Sequence, residues 1–334
     1  NGSQPSIAWL KAKSQVNQGY PVLSWQKLSN NLPSGFEGNC LGVTYVGGTQ
    51  TTQYKIRYVE DLIYISNMVR NDTNYYNKYF QFQNDISFTD SSIYYNPIGD
   101  SNNNCFSGNI DGNGKIISNL TISKNDSVGL FGCISGATIQ SLGIANSCSF
   151  TSNVNGGSLV CHASNSTINK CYSKASLAGN STNSKIGGLA GYLNGTSINN
   201  CYSRNSITNS SSGSYSGGMV CSIDNNSTIL NSYSSPVSFP TDGTRGILVG
   251  SIANCTNPSL NSYYDSTFNV SSMTILGTSL TLTQMRTLDF AMALNACQTN
   301  VWKWANGNNS LNNGLPMLNW EGIGEVLPFC GSSE

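Results

Sequence analysis

The chain has 334 residues, of which 38% are hydrophobic and 10% are charged, and its 16 Lys and Arg balance its 16 Asp and Glu. Zero net charge without a basic run argues against a nucleic-acid partner, and no apolar stretch is long enough to span a membrane. The 11 cysteines accompany only one histidine and no Cys-x-x-Cys pair, which favours disulfides in an oxidising compartment over zinc sites.

Residues 1–50 form an N-terminal segment that repeats features of the other end of the chain. Five of its residues each lie 295 positions before a matching or similar residue. The pairs are Trp9 and Trp304, Tyr20 and Leu315, Pro21 and Pro316, Leu23 and Leu318, and Trp25 and Trp320. We expect these residues to form a junction, either between units of a tandem array or between separate copies joined head to tail. The alternative is an accidental recurrence or an internal brace.

Residues 51–105 form the predicted entry and cap region. Residues 59–69 place Leu62, Ile65 and Val69 on one face of a helix, with Glu60 and Asp61 in its first turn. An open terminal turn of a repetitive β fold would expose strand edges and core, so we expect this helix to cover one.

Residues 106–275 contain an internal repeat. Leu130, Leu159, Leu189, Met219 and Leu248 recur at spacings of 29 or 30 residues, each within a Gly-Leu-Phe-Gly-like string. Each unit contains short apolar segments separated by Gly, Asn and Ser, which is typical of strands between turns. Such a unit cannot close its own core, but stacked copies can. The sequence therefore predicts an all-β protein, a parallel β-helix with Asn and Gly at its corners and Asn or Ser stacked along its axis.

The strings at 187–192, Gly-Gly-Leu-Ala-Gly-Tyr, and at 198–203, Ile-Asn-Asn-Cys-Tyr-Ser, resemble the GLUG motif of repetitive surface proteins. The resemblance spans roughly residues 55–320. It implies an extracellular, right-handed β-helix of the adhesin or surface-structural kind. In that family a Tyr-Pro-Val-Leu-like segment closes the domain, whereas here that segment, residues 20–23, stands near the start. This chain departs from the motif where Cys161 and Cys221 replace the second Gly.

Residues 276–334 form the predicted C-terminal helix and closing tail. Met285, Leu288 and Met292 have helical spacing over residues 282–294, and Thr283 is the candidate N-cap. We expect this region to cap or brace the solenoid.

The predicted fold favours one cysteine pairing, and two others are candidates, although a single sequence does not determine the connectivity. Cys171 and Cys201 are one repeat apart, which puts their Cα atoms about 4.8 Å apart and within reach of a disulfide. Buried reduced thiols are the alternative for this pair. Cys297 with Cys330 and Cys40 with Cys105 are further candidates.

Among the Asn-x-Ser/Thr sequons, Asn165, Asn194 and Asn226 fall at nearly matching predicted turns of successive repeats, where a glycan would be tolerated and would block lateral sheet contacts. We expect N-glycans on several of them if the source is a eukaryote. The candidates are Asn71, Asn119, Asn125, Asn165, Asn180, Asn194, Asn209, Asn226, Asn254, Asn269 and Asn308.

The chemistry of a polysaccharide-cleaving β-helix needs paired carboxylates on one face, and no Asp or Glu lies between Asp126 and Asp224. We therefore expect no catalytic residues, metal or cofactor. The sequence favours a non-catalytic extracellular glycoprotein that builds a filament or stalk from copies of itself. A surface adhesin for carbohydrate or protein is the alternative, and a polysaccharide-active enzyme is a lesser one.

Overall fold

The computed structural model describes residues 48–71, 77–89, 94–100, 104–209, 213–268, 274, 276–322 and 324–328, together with two short strands near the N-terminus. Its main body is a parallel β-solenoid of about six turns, which confirms the predicted β-helix. Equivalent residues of successive repeats pair in register, as Val160 does with Ala190 and Ala190 with Val220.

Each turn contributes strands to parallel ladders, whose hydrogen bonds join one turn to the next. The five-stranded ladder consists of Phe131–Ser135, Val160–Ser164, Ala190–Asn194, Val220–Asp224 and Val249–Ile252. One four-stranded ladder consists of Thr121–Lys124, Ser149–Ser152, Ser176–Gly179 and Ser206–Thr208. The other consists of Asn155–Gly157, Lys185–Gly187, Tyr215–Gly217 and Thr244–Gly246.

The remaining solenoid strands form a single 14-stranded sheet with two adjacent ladders, which the long strands Asn109–Ser118 and Thr138–Ile144 connect. The first ladder also contains Tyr54–Ile56, Tyr79–Phe82, Thr167–Asn169, Ser197–Asn199, Thr228–Leu230 and Ser259–Leu260. The second also contains Ile86–Ser87, Tyr172–Ser173, Tyr202–Ser203, Tyr233–Ser234, Tyr263–Asp265 and Thr278–Leu280.

The core consists of rows of equivalent apolar residues stacked along the axis. The row that defined the repeat, Leu130, Leu159, Leu189, Met219 and Leu248, is at most 1% exposed. Full burial of each such side chain contributes roughly 1.5–3 kcal/mol to folding. Because every turn supplies one member of each row, the core is continuous from turn to turn.

The corners of the turns take left-handed backbone conformations. Among the described non-glycine residues at positive φ, all are asparagine except Ser141, Lys170, Ala296 and Cys297. Asparagine side chains also bond along the axis, as Asn225 Nδ2 does to Asn194 Oδ1 at 2.7 Å and Asn261 Nδ2 to Asn231 Oδ1 at 2.8 Å. These contacts confirm the expected asparagine corners and ladders.

Helix α1, Val59–Asn71, follows the first solenoid strand and confirms the predicted helix. Leu62, Ile65 and Val69 are buried in the solenoid core. The Asp61 carboxylate accepts hydrogen bonds from the backbone N–H groups of Arg57 and Tyr58 at 2.6 and 3.2 Å, which fixes the start of the helix.

The C-terminal region contains two helices, α2 at Leu282–Met285 and α3 at Leu288–Asn295, where the sequence predicted one. The predicted N-cap Thr283 is wrong, since Thr281 and Thr287 cap the two helices. Thr287 is extended and its hydroxyl accepts from the Phe290 N–H, so the first helix has to end before it. An antiparallel sheet follows, with strands Trp302–Trp304, Met317–Leu318 and Glu325–Val326.

Candidate functional site

A row of stacked tyrosines runs along one flank of the solenoid. We define the tyrosine row as Tyr172, Tyr202, Tyr233 and Tyr263, which occupy equivalent positions in successive turns. The first three rings are nearly parallel, with centroids 4.9 and 5.2 Å apart. The turn before Tyr172 has Gly143 at this position, where a Cβ atom would lie 2.5 Å from the Tyr172 ring. Glycine therefore leaves the space into which that ring leans.

The tyrosine row is covered by residues 281–322 and 324–328, which we call the closing segment. The Trp320 ring stacks on Tyr172 at 5.3 Å, and its Nε1–H donates to the Lys170 carbonyl at 3.1 Å. Trp302 lies 5.7 Å from the Tyr233 ring, and Phe290 meets Tyr263 edge to face at 5.1 Å. Two tryptophans and one phenylalanine of the closing segment thus pack against the tyrosine row, which spans four consecutive turns.

Glu321 is the polar centre of this contact. It accepts from the Tyr202 hydroxyl at 2.6 Å, from Lys174 Nζ at 3.4 Å and from the Leu318 N–H at 2.7 Å. Burial raises the pKa of the Glu321 carboxyl, against the opposing attraction of the Lys174 ammonium. Burial has the opposite effect on Lys174, whose pKa it lowers, because burial disfavours the charged form of either group. The Tyr233 hydroxyl donates to the Pro316 carbonyl at 2.6 Å, so a second turn is held as well.

The predicted C-terminal junction residues all make contacts within their own chain. Trp304 Nε1–H donates to the Arg286 carbonyl at 3.0 Å, and the Pro316 carbonyl, Leu318 and Trp320 belong to the closing segment contacts. Leu318 pairs with Trp302 across the antiparallel sheet. These contacts at this end of the chain are of the kind expected for an internal brace, and the junction itself stays a prediction.

The N-terminal segment contains an antiparallel strand pair of the same kind. Trp9–Leu10 pairs with Val22–Leu23, with Trp9 opposite Leu23 and Leu10 opposite Val22. In the closing segment Trp302 is opposite Leu318 and Lys303 is opposite Met317. In each pair a tryptophan lies opposite a leucine, so the strand pairing makes Trp302 the counterpart of Trp9. The constant spacing of 295 residues had matched Trp9 with Trp304 instead. The other predicted junction residues, Tyr20, Pro21 and Trp25, lie outside the described residues.

Trp302, Glu321 and Lys174 are central to the contact, and sequence reasoning missed all three. The sequence could have pointed to Trp302, because the string Trp-Lys-Trp at 302–304 contains two tryptophans and either could be the counterpart of Trp9. Glu321 and Lys174 had none, because a single ion pair between residues 147 positions apart leaves no local pattern.

The cysteines depart from two of the three predicted pairings. Cys171 and Cys201 are free and buried, so the predicted bond between them is wrong. Their sulfurs donate instead to the carbonyls of Asn169 at 3.3 Å and Asn199 at 3.1 Å, each within its own turn. They act as small buried residues, the alternative for this pair.

Cys105 bonds to Cys133 and not to Cys40, so that pairing is also wrong. The bridge between Phe106 and Ile134 sets their neighbours side by side on adjacent turns, with Cα atoms 4.6 Å apart. Cys297 is disulfide-bonded, and its predicted partner Cys330 lies outside the described residues, as does Cys40.

The sequon asparagines occupy unequal positions. Asn209 is 1% exposed, and its amide donates to Ser184, Tyr215 and Ser216, which leaves no space for a glycan on the folded chain. Asn194 is half-buried. The exposed ones are Asn119, Asn125, Asn165, Asn180, Asn226, Asn254 and Asn308. Asn269 and the side chain of Asn71 lie outside the described residues.

Within the described part of the chain, no three His, Cys, Asp or Glu side chains come together as a metal site. None of the described helices has the length and apolar character of a membrane span.

Comparison with known proteins shows a shared fold. A crystal structure from Bacteroides ovatus, of a protein provisionally assigned as an immunoglobulin A1 protease, is 19% identical with a TM-score of 0.54. The match covers 82% of this chain and 94% of that one. A second structure, described as an IgA1 protease, is 16% identical with a TM-score of 0.42 over 67% of this chain and 21% of that one. No family model and no curated protein matches the chain.

Proposed function

We propose that the chain is a non-catalytic structural module of an extracellular filament or stalk, in which copies follow one another head to tail. The observation that carries the proposal is the strand pair Trp9–Leu10 and Val22–Leu23, which repeats the pairing of Trp302 with Leu318 in the closing segment. One molecule thus contains a complete closing element and a second copy of its core pair. The resemblance to GLUG-motif surface proteins supports an extracellular setting.

Electron microscopy of the protein purified from its source, with mass spectrometry on the same sample, tests this proposal. We expect filaments whose axial repeat corresponds to one copy of the chain, since a contact between unlike surfaces that does not close produces a helical polymer. If the source is a eukaryote, we expect glycan mass on Asn165 or Asn194. Discrete monomers with Trp9 packed inside their own chain would overturn the proposal.

An adhesin is the second candidate, supported by the outer face where two ladders meet. His162 and Tyr192 lie 6.2 Å apart there, and Lys185 lies over the Tyr215 ring at 5.6 Å. Tyrosine is enriched among the residues that contribute most to binding at protein interfaces. Glycan-array binding that Tyr192→Ala abolishes would favour this candidate. The tyrosine row cannot serve it, because the closing segment covers that row.

An enzyme is the third candidate. It could be a protease, the activity named for the Bacteroides ovatus protein, or it could cleave polysaccharides, as other β-helix proteins do. At 19% identity that structure supports the fold alone. Incubation of the purified chain with immunoglobulin A1, followed by gel electrophoresis of the heavy chain, tests the first form. We expect an intact heavy chain.

A further inference from the structure

The closing segment belongs to a hydrophobic cluster that is separate from the solenoid core. Neighbouring residues of one turn face the two clusters. Cys201 is part of the solenoid core, while Tyr202 belongs to the other cluster, together with Phe290 and Trp302 of the closing segment. The two side chains point apart because successive residues of a strand lie on opposite faces. As far as the structure describes it, the solenoid core therefore contains no residue of the closing segment.

The bonds between the closing segment and the solenoid also differ from those between turns. Consecutive turns share ladders of backbone hydrogen bonds, whereas the strands of the closing segment form a sheet of their own. Among the described residues, no backbone-to-backbone hydrogen bond joins the closing segment to the solenoid. The bonds that cross involve side chains. Asn200 and Gln298 exchange two of them at 3.2 and 3.1 Å, and Asn261 Nδ2 donates to the Ala293 carbonyl at 2.7 Å.

The disulfide of Cys297 does not tie the closing segment to the described turns. The described cysteines of the solenoid are free, except for Cys105 and Cys133, which bond to each other. Side-chain contacts and the chain connection at Thr281 are therefore what the structure shows between the two parts.

The contact leaves two buried donors without a partner. Trp302 is 2% exposed, yet its indole N–H makes no hydrogen bond, and the Nε of Arg204 is likewise buried and unpaired. Arg204 Nη1 reaches Asn312 Oδ1 of the closing segment at 3.4 Å. A buried donor without a partner opposes burial, because it has given up its bonds to water. Access of water to these groups would therefore favour the undocked state.

We propose that the closing segment is a separate cooperative unit, which undocks as a whole from a solenoid that stays folded and thereby exposes the tyrosine row. Local units of a protein open at different free energies, and a part held by few bonds opens first. The ladders that join the turns do not pass through the closing segment. The proposal holds whether or not the chain forms a filament, so it goes beyond the function proposed above.

Hydrogen exchange of the full-length chain, measured by mass spectrometry, tests the proposal. Backbone amides exchange when the structure that protects them opens. We expect protection factors in helix α3 and strand Trp302–Trp304 to be at least about tenfold lower than in the five-stranded ladder, because undocking precedes opening of the solenoid.

Two variants should act on different parts of the chain. Glu321→Ala removes the bonds to Tyr202 and Lys174, so it should lower protection in the closing segment roughly tenfold and leave the ladder unchanged. Leu189→Ala weakens the solenoid core and should lower protection in the ladder, with little effect on the closing segment. Glu325→Ala is the matched control for the lost carboxylate. Glu325 is exposed and bonds to Asn306 within the closing segment, so both regions should keep their protection.

Tryptophan fluorescence gives a second measurement. Three of the five tryptophans, Trp302, Trp304 and Trp320, belong to the closing segment. In a full-length chain that carries Trp9→Phe and Trp25→Phe, all remaining tryptophans report on that segment. We expect their emission to change at a lower denaturant concentration than the far-ultraviolet circular dichroism, which follows the solenoid strands.

Equal protection of the closing segment and the ladder in wild type would overturn the proposal, since that is the behaviour of a single cooperative unit. Coincident fluorescence and circular dichroism transitions would overturn it as well. Wild type alone decides the question if Glu321→Ala does not fold. The proposed function is decided separately, by the presence or absence of filaments in native material.

Discussion

His162, the only histidine of the chain, is partly buried on the outer face of the five-stranded ladder. Burial lowers the pKa of its imidazole below 6.5, against the opposing charge of Asp126. Below pH 6.5 the unfolded chain therefore takes up this proton more readily than the folded chain, and stability falls as the pH falls through that window.

We expect a proton NMR titration to give a pKa for His162 below 6.5, from a resonance that needs no assignment because it is unique. His162→Gln should flatten the loss of stability between pH 6.5 and the lowered pKa. A measured pKa at or above 6.5 would contradict the placement of the ring.

The buried thiols make a second prediction at the residue scale. Burial raises the pKa of Cys161 and of Cys221 to about 12, so both stay protonated and unreactive at neutral pH. We expect alkylation of the native protein to spare them. After denaturation without reductant, alkylation should label Cys171 and Cys201 but not Cys105 and Cys133. A linked peptide containing Cys171 and Cys201 would contradict the structure.

At the scale of elements, the repeat was predictable because each turn buries apolar residues and places asparagines at equivalent positions. Leu130 and its equivalents mark the inward row, and asparagines mark the corners, so both are visible as periodicity. The two-helix break at Thr287 and the ion pair of Glu321 with Lys174 were not visible. The first depends on which of several threonines is the better cap, and the second joins distant parts of the chain.

Leu189→Ala tests the inward row. Leu189 is fully buried, and removal of its methyl groups should lower the free energy of unfolding by about 2–5 kcal/mol. Leu260→Ala is the matched control, because Leu260 is exposed and its change should stay within about 0.5 kcal/mol. Chemical denaturation measures both. Equal losses would show that the row is not the core.

Glu321→Gln tests the contact between the closing segment and the solenoid. The raised pKa of Glu321 means that the folded chain holds this proton more tightly, so its contribution to stability is greatest at low pH and is lost as the pH rises above 4.5 through the raised pKa. We expect a smaller decline in denaturation curves of Glu321→Gln than of wild type, because the raised pKa values of Glu60 and Asp61 contribute equally to both. Glu325→Gln, an exposed neighbour, is the control and should retain the decline.

At the scale of the whole molecule, the outer surface predicts where glycans can lie. Exposed sequons such as Asn165 and Asn226 occupy corners, whereas Asn209 is enclosed by Ser184 and Ser216. Glycopeptide mapping of material expressed in a eukaryotic cell should find Asn209 unmodified and several exposed sites occupied. Occupancy at Asn209 in folded protein would contradict the packing of that corner.

If the chain is part of a stalk, as proposed above, the closing segment would have a mechanical role. Ladder hydrogen bonds run along the solenoid axis, so a pull along that axis loads them turn by turn and would peel the stack from its end. The closing segment contacts three consecutive turns. Trp320 stacks on Tyr172, and Glu321 and the Pro316 carbonyl accept hydrogen bonds from Tyr202 and Tyr233. Because one segment contacts all three turns, we expect that separating them would also have to break these contacts, which such a pull loads in shear.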